Sequence, residues 1–249
     1  MRFRLNAFAL HLVGSGCVLT AVLGGLWLGW YRWPGWYLAD ALHIVGLLIL
    51  IDLALGPTLT LIVANPAKAR RELTRDIGVI VCVQLAALIY GATTLWSGRP
   101  LYYTFSFDRL EIVQASDIKP EELALASQHN PSFAAHWYSL PRWIWAPVPD
   151  GEEGARIAAG VLFGGSDVID MPRYFKPWEQ GLPRLRDELV RLDDVKYLTK
   201  PQKQTLRARM SERGLPLDER NTMLMWGGSR RLLAVFDPTT LHIVAILRA

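Results

Sequence analysis

Cysteine is scarce in this chain, and that scarcity limits how the chain can be stabilised. Only Cys17 and Cys82 occur among 249 residues, both inside apolar segments, and none follows Trp96. A disulfide framework, which many small secreted domains need, is therefore excluded from the C-terminal part. That part has about 150 residues, enough for one domain with its own core, so we expect packing alone to stabilise it.

Histidine is scarce as well, and the residue combinations that carry common chemistries are missing. Of the five histidines, His129 and His136 lie seven residues apart without a nearby cysteine or carboxylate pattern, so metal binding is not expected of them. Gly164 and Gly165 lack the strand-to-helix context and the lysine of a phosphate-binding loop. No nucleophile stands at a useful spacing from a base. We therefore expect neither an enzyme nor a metal site.

Much of the excess positive charge lies in one short segment of the chain. The formal net charge is +4, and Lys68, Arg70, Arg71 and Arg75 account for much of the excess. These residues lie in a short polar break between two apolar segments, where membrane topology favours basic side chains. Nucleic-acid binding is therefore not expected.

Three long apolar segments occupy the first part of the chain, at about 5–30, 36–64 and 77–96. Each is long enough to cross a bilayer, which requires about 20 apolar residues in a helix. The first continues beyond signal-peptide length without a small-residue cleavage site, which favours a retained anchor. Cys17 after Gly14-Ser15-Gly16 weakly resembles a lipoprotein cleavage site, so lipidation stays open as an alternative. The sequence predicts a three-helix transmembrane domain at 1–96.

Basic residues near the helix ends predict the orientation in the membrane. Cytoplasmic loops carry an excess of Lys and Arg. Arg2, Arg4 and the break at 65–76 are more basic than the first loop, which carries only Arg32. The N-terminus is then cytoplasmic, and three crossings place a second domain, 97–249, in the periplasm. The aromatic residues at the first loop suit an interfacial belt: Trp30, Tyr31, Trp33, Trp36 and Tyr37.

Asp52 lies near the middle of the second apolar segment, where a carboxylate costs roughly 2.5 to 3.5 kcal/mol on lenient insertion scales. One interpretation is an ion or proton relay, or a docking point for another membrane helix. The other is a protonated Asp that is hydrogen-bonded within the bundle, with Gln84 as its expected partner. Gly56-Pro57 predicts a kink one turn later, where Thr58 and Thr60 can satisfy the freed backbone groups.

The polar part of the chain shows alternating periodicity near both of its ends. Residues 101–118 alternate around a break at Asp108-Arg109 and predict a β-hairpin. Residues 223–247 predict a three-stranded antiparallel meander. Helices are expected to begin near residues 120, 152, 182 and 201, whereas the segment 137–149 is too rich in Pro and Trp to be regular. The sequence thus predicts a soluble α+β domain with a small antiparallel sheet.

Short motifs along nearly the whole chain carry a family resemblance. In the membrane part they are Asp52 with Leu55-Gly56-Pro57-Thr58-Leu59-Thr60-Leu61, then Asn65-Pro66-Ala67-Lys68, Asp76-Ile77, Gln84-Leu85 and Tyr90-Gly91. In the second part they are Arg99-Pro100, Asp108-Arg109, Gly164-Gly165-Ser166-Asp167 and Pro172-Arg173-Tyr174-Phe175. In these motifs the chain resembles the type IV pilin accessory proteins of the TfpX/TfpZ family, which are bacterial inner-membrane proteins.

The resemblance implies a non-enzymatic, chaperone-like accessory that binds the major type IV pilin and modulates its stability, pilus assembly or dynamics. Its partners would be the pilin, which waits in the membrane as a single helix, inner-membrane assembly components and the lipid bilayer. No cofactor is implied. The candidate partner-binding residues are Asp52, Gly56, Pro57, Thr58, Thr60, Gln84 and Tyr90, and the motif residues of the exported domain are Arg99, Asp108, Arg109, Gly165, Asp167 and Tyr174. The alternative is a membrane-anchored periplasmic enzyme that modifies pilin or envelope components.

Overall fold

The computed structural model describes residues 1–248, and the chain divides into two compact units. The helical unit contains Met1–Arg32 and Ala41–Gly98. The sheet unit contains Trp33–Asp40 and the chain from Arg99 onward. The short segment between the first two long helices therefore belongs with the sheet, which the sequence did not indicate.

Three helices of the helical unit are long and apolar enough to cross a membrane, as the sequence predicts. They are span 1, Arg2–Gly29 (α1); span 2, Leu42–Val63; and span 3, Arg70–Ser97 (α5). Large apolar side chains such as Leu10 and Ile62 stay exposed on them. An apolar surface of this extent is expected where lipid rather than water surrounds the helices.

Span 2 changes its helical geometry in the middle. It consists of α3 (Leu42–Ile49), a π-helical turn (Leu50–Leu55) and α4 (Gly56–Val63). The Gly56 amide donates to the carbonyl of Ile51, five residues back. Pro57 has no N–H for the ordinary ladder and its ring displaces the preceding turn, so a wider turn forms there. The interruption predicted at Gly56-Pro57 is thus present as a π turn that includes Asp52.

The sheet unit contains one seven-stranded mixed sheet in the order β4-β3-β1-β2-β5-β6-β7. The strands are β1 Pro100–Ser106, β2 Arg109–Gln114, β3 Arg142–Trp145, β4 Lys176–Pro177, β5 Thr222–Gly227, β6 Arg230–Phe236 and β7 Ile243–Arg248. The predicted hairpin is formed by β1 and β2, and the predicted meander by β5, β6 and β7. Both predictions are confirmed, and both pairings are antiparallel.

The sheet as a whole is larger than predicted and not purely antiparallel, so the expectation of a small antiparallel sheet is wrong. β3 lies inside the segment predicted to be irregular, and it pairs in parallel with β1, with Tyr102 opposite Arg142. β2 joins the meander through a parallel pairing with β5. Parallel neighbours are joined by long crossovers rather than tight turns, so their pairing leaves no local signal in the sequence.

Helices and short turns connect the strands. The helices are α6 Pro120–His129, α7 Glu152–Leu162, α8 Trp178–Glu188 and α9 Lys200–Glu212, all four near the predicted positions. The 3-10 turns are Pro131–Phe133, Val168–Asp170, Pro172–Tyr174 and Leu192–Asp194. α9 begins with a capping box in which Thr199 and Gln202 satisfy each other's backbone amides.

The segment 33–40 packs onto the sheet. Its short helix α2 (Gly35–Leu38) buries Leu38, 1% exposed, in the same core cluster as residues of β1, β2, β5 and β6. Asp40 accepts a hydrogen bond from Arg230 Nη2 at 2.6 Å. Three aromatic rings of the predicted interfacial belt, at positions 33, 36 and 37, surround the Arg248 guanidinium at 4.9 to 5.7 Å from their centres.

Candidate functional site

Four polar side chains from the three spans meet inside the helical unit. Asp52 and Gln84 occupy the middles of spans 2 and 3 and are only 4% and 6% exposed. The predicted contact between them is present, with Gln84 Nε2 3.3 Å from Asp52 Oδ1 and 3.2 Å from the Asp52 carbonyl. His11 of span 1 lies between Gln84 and Thr60. Each span therefore contributes to one polar network.

The chemistry of these groups determines the direction of the hydrogen bonds. His11 Nε2 lies 2.7 Å from Gln84 Oε1, and since an amide oxygen only accepts, this imidazole nitrogen carries a proton. The Gln84 amide nitrogen donates to Asp52. His11 Nδ1 lies 2.5 Å from Thr60 Oγ1, a hydroxyl that can either donate to this nitrogen or accept from it. The donors thus run in one direction from His11 through Gln84 to Asp52.

One oxygen of Asp52 stays outside this network. Oδ2 is buried and makes no hydrogen bond to any residue among 1–248. In hydrocarbon an unsatisfied polar group is costly, because no water replaces the missing partner. A further donor placed against this oxygen would therefore be stabilising.

The structure brings together some of the membrane residues proposed from the sequence and separates others. A β-carbon added at Gly56 would lie 2.1 Å from Gln84 Nε2, so only a glycine at position 56 leaves room for the Gln84 side chain. Pro57 is buried in the first turn of α4. Thr58 and Tyr90 are exposed on the outer surfaces of spans 2 and 3, Tyr90 at 72%, and lie outside the network.

His11 is the network member that sequence reasoning missed. A single histidine in an apolar helix gives no spacing pattern, and its partner Thr60 is 49 residues away in the chain. The available signal was its position alone, because an ionisable residue inside a membrane helix is a functional candidate by default.

A groove of about 360 Å³ runs between spans 1 and 3, with the polar network among its lining residues. Span 1 contributes one helical face, which consists of Ala7, Leu10, His11, Gly14, Ser15 and Val18. The opposite side consists of Ile77, Val81, Gln84, Leu85 and Leu88, with Asp52 and Thr60 from span 2. Leu10 is 77% exposed and Leu85 47%, so the groove opens toward the exposed apolar surface of the helical unit.

A second groove, of about 490 Å³, follows along the same two helices. Its lining residues are Val22, Gly25 and Leu26 of span 1, Trp30 directly after span 1, and Ala92, Thr93 and Trp96 of span 3. Trp30 and Trp96 meet edge to face, with ring centres 5.0 Å apart. From Ala7 to Trp30 a helix rises by about 35 Å, close to the thickness of the hydrocarbon core. Together the grooves follow spans 1 and 3 over a membrane-crossing length.

In the sheet unit, Arg109 joins two acidic residues. Its Nε donates to Glu111 Oε2 at 2.8 Å, and its Nη2 lies 3.6 Å from Asp167 Oδ2. Burial alone would lower the pKa of the Arg109 guanidinium, but the hydrogen bond to Glu111 and the charges of Glu111 and Asp167 raise it. Two residues proposed from the sequence, Arg109 and Asp167, are thus brought together across 58 positions that separate β2 from the turn after α7.

Asp170 lies within the field of this cluster. The pKa of its carboxyl is raised from 3.8 to about 6, mainly by burial and next by the charge of Asp117, with smaller contributions from the charges of Asp167 and Glu111. Several carboxylates that share one neighbourhood disfavour ionisation of the most buried member. The charge of Asp170 is therefore sensitive to mildly acidic pH.

A cleft of about 610 Å³ lies beside the turn between β1 and β2. Its lining residues come from three parts of the unit. They are Asp108, Arg109 and Glu111 of the hairpin; Glu188 at the end of α8 with Val190, Asp194, Val195, Lys196 and Tyr197 after it; and Thr222, Met223, Leu224, Trp226 and Gly228 of β5 and its turn. The lining mixes both charges with apolar and aromatic groups. Such a lining suits a polar protein surface better than a small apolar ligand.

The remaining motif residues of this unit do not line the cleft. Arg99 is 8% exposed just before β1. The Tyr174 hydroxyl donates to Glu153 of α7. The Gly165 amide donates to the carbonyl of Gly160 at 2.8 Å, at the end of α7. These contacts stabilise local structure.

The histidines considered for metal binding make other contacts. His129 Nδ1 lies 3.0 Å from the Leu125 carbonyl, and the His136 ring stacks on Tyr138. Throughout residues 1–248, no group of three or more His, Cys, Asp or Glu side chains is placed to hold a metal ion.

The chain is similar to proteins from the bacterium Dichelobacter nodosus. It is 31% identical over 124 residues to the fimbrial assembly protein of serogroups C1 and C2, and the match covers 95% of that relative and 50% of this chain. The chain belongs to the fimbrial assembly protein family. No family model matches it, and no solved structure does.

Two further fimbrial assembly proteins match a longer part of the chain. Those of serogroups I and E1 are 27% identical over 221 residues, which is 87% of this chain and 84% of each relative. An alignment of 221 residues is longer than either unit alone. The similarity to these two relatives therefore includes residues of both the helical and the sheet unit.

Proposed function

We propose that the chain is an accessory of type IV pilus biogenesis that spans the bacterial inner membrane and binds the major pilin there, in the manner of a chaperone. Membership of a family whose relatives are named fimbrial assembly proteins supports the pilus role. The resemblance to TfpX/TfpZ accessory proteins supports the narrower role in pilin stability, pilus assembly or dynamics. The role requires no cofactor and no chemical step.

The groove between spans 1 and 3 carries this proposal. Apolar side chains gain nothing by leaving lipid for another apolar surface, so membrane helices associate through close packing at small residues and through hydrogen bonds. Gly14 and Ser15 supply small residues in the groove, and the network of His11, Gln84 and Asp52 supplies polar groups. A pilin that waits in the membrane as a single helix is a partner with the matching shape.

The cleft of the sheet unit is proposed to contact the pilin outside the membrane. Tyr197 is 68% exposed at its edge, and aromatic residues are enriched in protein interfaces. Its charged residues, such as Glu188 and Lys196, would select the partner more than they would strengthen binding.

Photocrosslinking in living cells tests the groove. A photoreactive amino acid at Leu10, inside the groove, is expected to trap the host's major pilin. The same probe at Val13, which is 63% exposed on span 1 but outside the groove, is expected to trap little of it. A probe at Tyr197 tests the cleft in the same cells.

Two glycine substitutions distinguish a loss of binding in the groove from a loss of folding of the helical unit. Gly14 and Gly24 both lie on span 1, and an added β-carbon meets nothing within 4 Å at either position. Gly14→Leu fills the groove and is expected to abolish the pilin adduct and reduce surface piliation. Gly24→Leu, outside both grooves, is the control and should retain both. Equal adduct yields from the two variants would refute pilin binding at this site.

A further inference from the structure

The buried oxygen Oδ2 of Asp52 has no hydrogen-bond partner among the described residues, and this limits which helix can bind in the groove. Asp52 is 4% exposed, and its Oδ2 makes no hydrogen bond to the described residues, whereas Oδ1 accepts from Gln84 Nε2. Asp52 is also among the residues that line the groove, so a helix bound there would pack against this side chain.

The network itself has no donor left for this oxygen. The Gln84 amide nitrogen donates to the Asp52 carbonyl and to Asp52 Oδ1. Gln84 Oε1 accepts a hydrogen bond from His11 Nε2–H. The Thr60 hydroxyl is held by His11 Nδ1 at 2.5 Å. A donor for Oδ2 must therefore come from outside the network.

We infer that the groove binds one transmembrane helix that presents a hydrogen-bond donor, a side-chain hydroxyl or amide, to Asp52 Oδ2 near the middle of the bilayer. This inference rests on the proposed function, and it specifies what the pilin helix must carry at that depth. The combined length of the two grooves matches a membrane-crossing helix rather than a small molecule. A lipid chain would fill the apolar part but offers no donor at this depth.

The inference also defines which substitutions at Asp52 matter. Asparagine has the shape of aspartate but carries an NH2 donor in place of one acceptor oxygen, so in Asp52→Asn either Gln84 Nε2 or the donor of the partner faces another donor. Asp52→Leu offers neither acceptor. Thr58→Val is the matched control, because Thr58 lies on the same span but on its exposed side.

The experiment measures the yield of pilin adduct from the Leu10 probe in the full-length chain, with the host's major pilin present at its normal level. Asp52→Asn is expected to lower the yield by about tenfold, the effect of one hydrogen bond to a charged or desolvated acceptor. Asp52→Leu should lower it at least as much, and Thr58→Val should leave it unchanged. Immunoblots of the chain check that all variants accumulate equally in the membrane.

The partner side supplies a second test that does not depend on the folding of the Asp52 variants. Mass spectrometry of the adduct identifies the pilin residues near Leu10, and each Ser, Thr, Asn or Gln among them is replaced by Ala. One replacement should lower the yield by about tenfold, and its effect should disappear in the Asp52→Asn background.

The outcomes separate the inference from the proposed function. If pilin is trapped by the wild-type chain and Asp52→Asn traps it equally, the donor inference is wrong, although pilin binding in the groove stands. If the wild-type chain traps only lipid, a second copy of itself or another protein, the proposed function fails together with the inference.

Discussion

Gln84 connects spans 1, 2 and 3 at the scale of single residues. Its side-chain oxygen accepts a hydrogen bond from His11, and its side-chain nitrogen donates one to Asp52. The same side chain lies against Gly56, the residue that follows the π turn. The network therefore depends on a residue without a side chain as much as on its polar members. The same π turn that Pro57 requires places Asp52 within reach of Gln84.

Gly56→Ala should disrupt this network. The added methyl group would lie 2.1 Å from Gln84 Nε2, so the amide must move and its hydrogen bonds weaken. Overpacking of this kind costs about 1 to 3 kcal/mol. The expected result is a lower thermal unfolding temperature of the full chain in detergent. Gly46→Ala, also in span 2 but with no neighbour within 4 Å, is the control, and equal unfolding temperatures would contradict the role given to Gly56.

Asp170 predicts a pH dependence of stability. Its pKa is raised from 3.8 to about 6 in the folded protein, so the folded chain retains a proton that the unfolded chain releases. The stabilisation from Asp170 is present below about pH 4 and is lost as the pH rises through about 6. Asp170→Asn should therefore stabilise the protein at pH 7.5, by on the order of 1 to 2 kcal/mol after allowance for solvent screening.

Thermal unfolding of the full chain in detergent at pH 7.5 and pH 4 measures this effect. The advantage of Asp170→Asn should shrink at the lower pH, where the wild-type carboxyl is protonated as well. Asp150→Asn removes an equal charge at an exposed position and should change little. A variant no more stable than the wild type at pH 7.5 would show that Asp170 is not held in an unfavourable ionised state.

The residues of the candidate sites differ in how far the sequence could predict them. Asp52 and Gln84 were predictable because a polar residue in a membrane span needs a partner. Arg109 and Asp167 were linked only through the family resemblance, since nothing local relates a hairpin turn to a loop after α7. Tyr90 fitted a motif but lies exposed, because a motif does not tell which face of a helix a residue occupies.

At the scale of elements, the segment 33–40 shows how burial of one side chain can bind a short segment to the sheet. The short helix α2 buries Leu38 in the sheet core, and burial of a leucine side chain contributes about 1.5 to 3 kcal/mol. The pair between Asp40 and Arg230 is exposed and adds less, because solvent screens it. Packing of Leu38 is therefore the main reason why the segment stays on the sheet.

Gly227→Ala should loosen that segment. A β-carbon at Gly227 would lie 2.5 Å from the Leu38 carbonyl oxygen, and backbone cannot move aside as a flexible side chain does. We expect a loss of about 2 kcal/mol, most of the value of burying Leu38. Hydrogen exchange of the full chain in detergent should become faster at residues 33–40. Gly160→Ala in α7, which meets no neighbour within 4 Å, should leave it unchanged, and unchanged exchange in both variants would contradict this packing.

Strands that pair with a neighbour close in the sequence were predicted correctly, whereas a strand that pairs with a distant one was missed. The hairpin of β1 and β2 and the meander from β5 to β7 were predictable because each joins neighbouring strands through short turns. β3 was missed because its pairing with β1 is parallel and distant in sequence, and because its Trp-rich segment resembles a loop. The spans were predictable from length and composition alone.

At the scale of the whole molecule, membrane topology is the property on which the proposed function depends. The cleft can meet an exported pilin domain only if the sheet unit lies in the periplasm. Lys68, Arg70, Arg71 and Arg75 between spans 2 and 3 favour a cytoplasmic position for that break. After three crossings the chain beyond Arg99 must then lie on the opposite side.

Thiol labelling tests this topology. In a chain with Cys17→Ser and Cys82→Ser, the Ala67→Cys variant places a thiol in the break between spans 2 and 3, and the Ser229→Cys variant places one in the turn between β5 and β6. A maleimide that cannot cross the inner membrane should label Ser229→Cys once the outer membrane is permeabilised. It should label Ala67→Cys only after the inner membrane is broken, because the basic residues beside position 67 favour a cytoplasmic position for that loop. The reverse order of labelling would place the sheet unit in the cytoplasm, where its cleft could not meet an exported pilin domain, whereas the lipid-facing groove of spans 1 and 3 would remain open to a membrane helix.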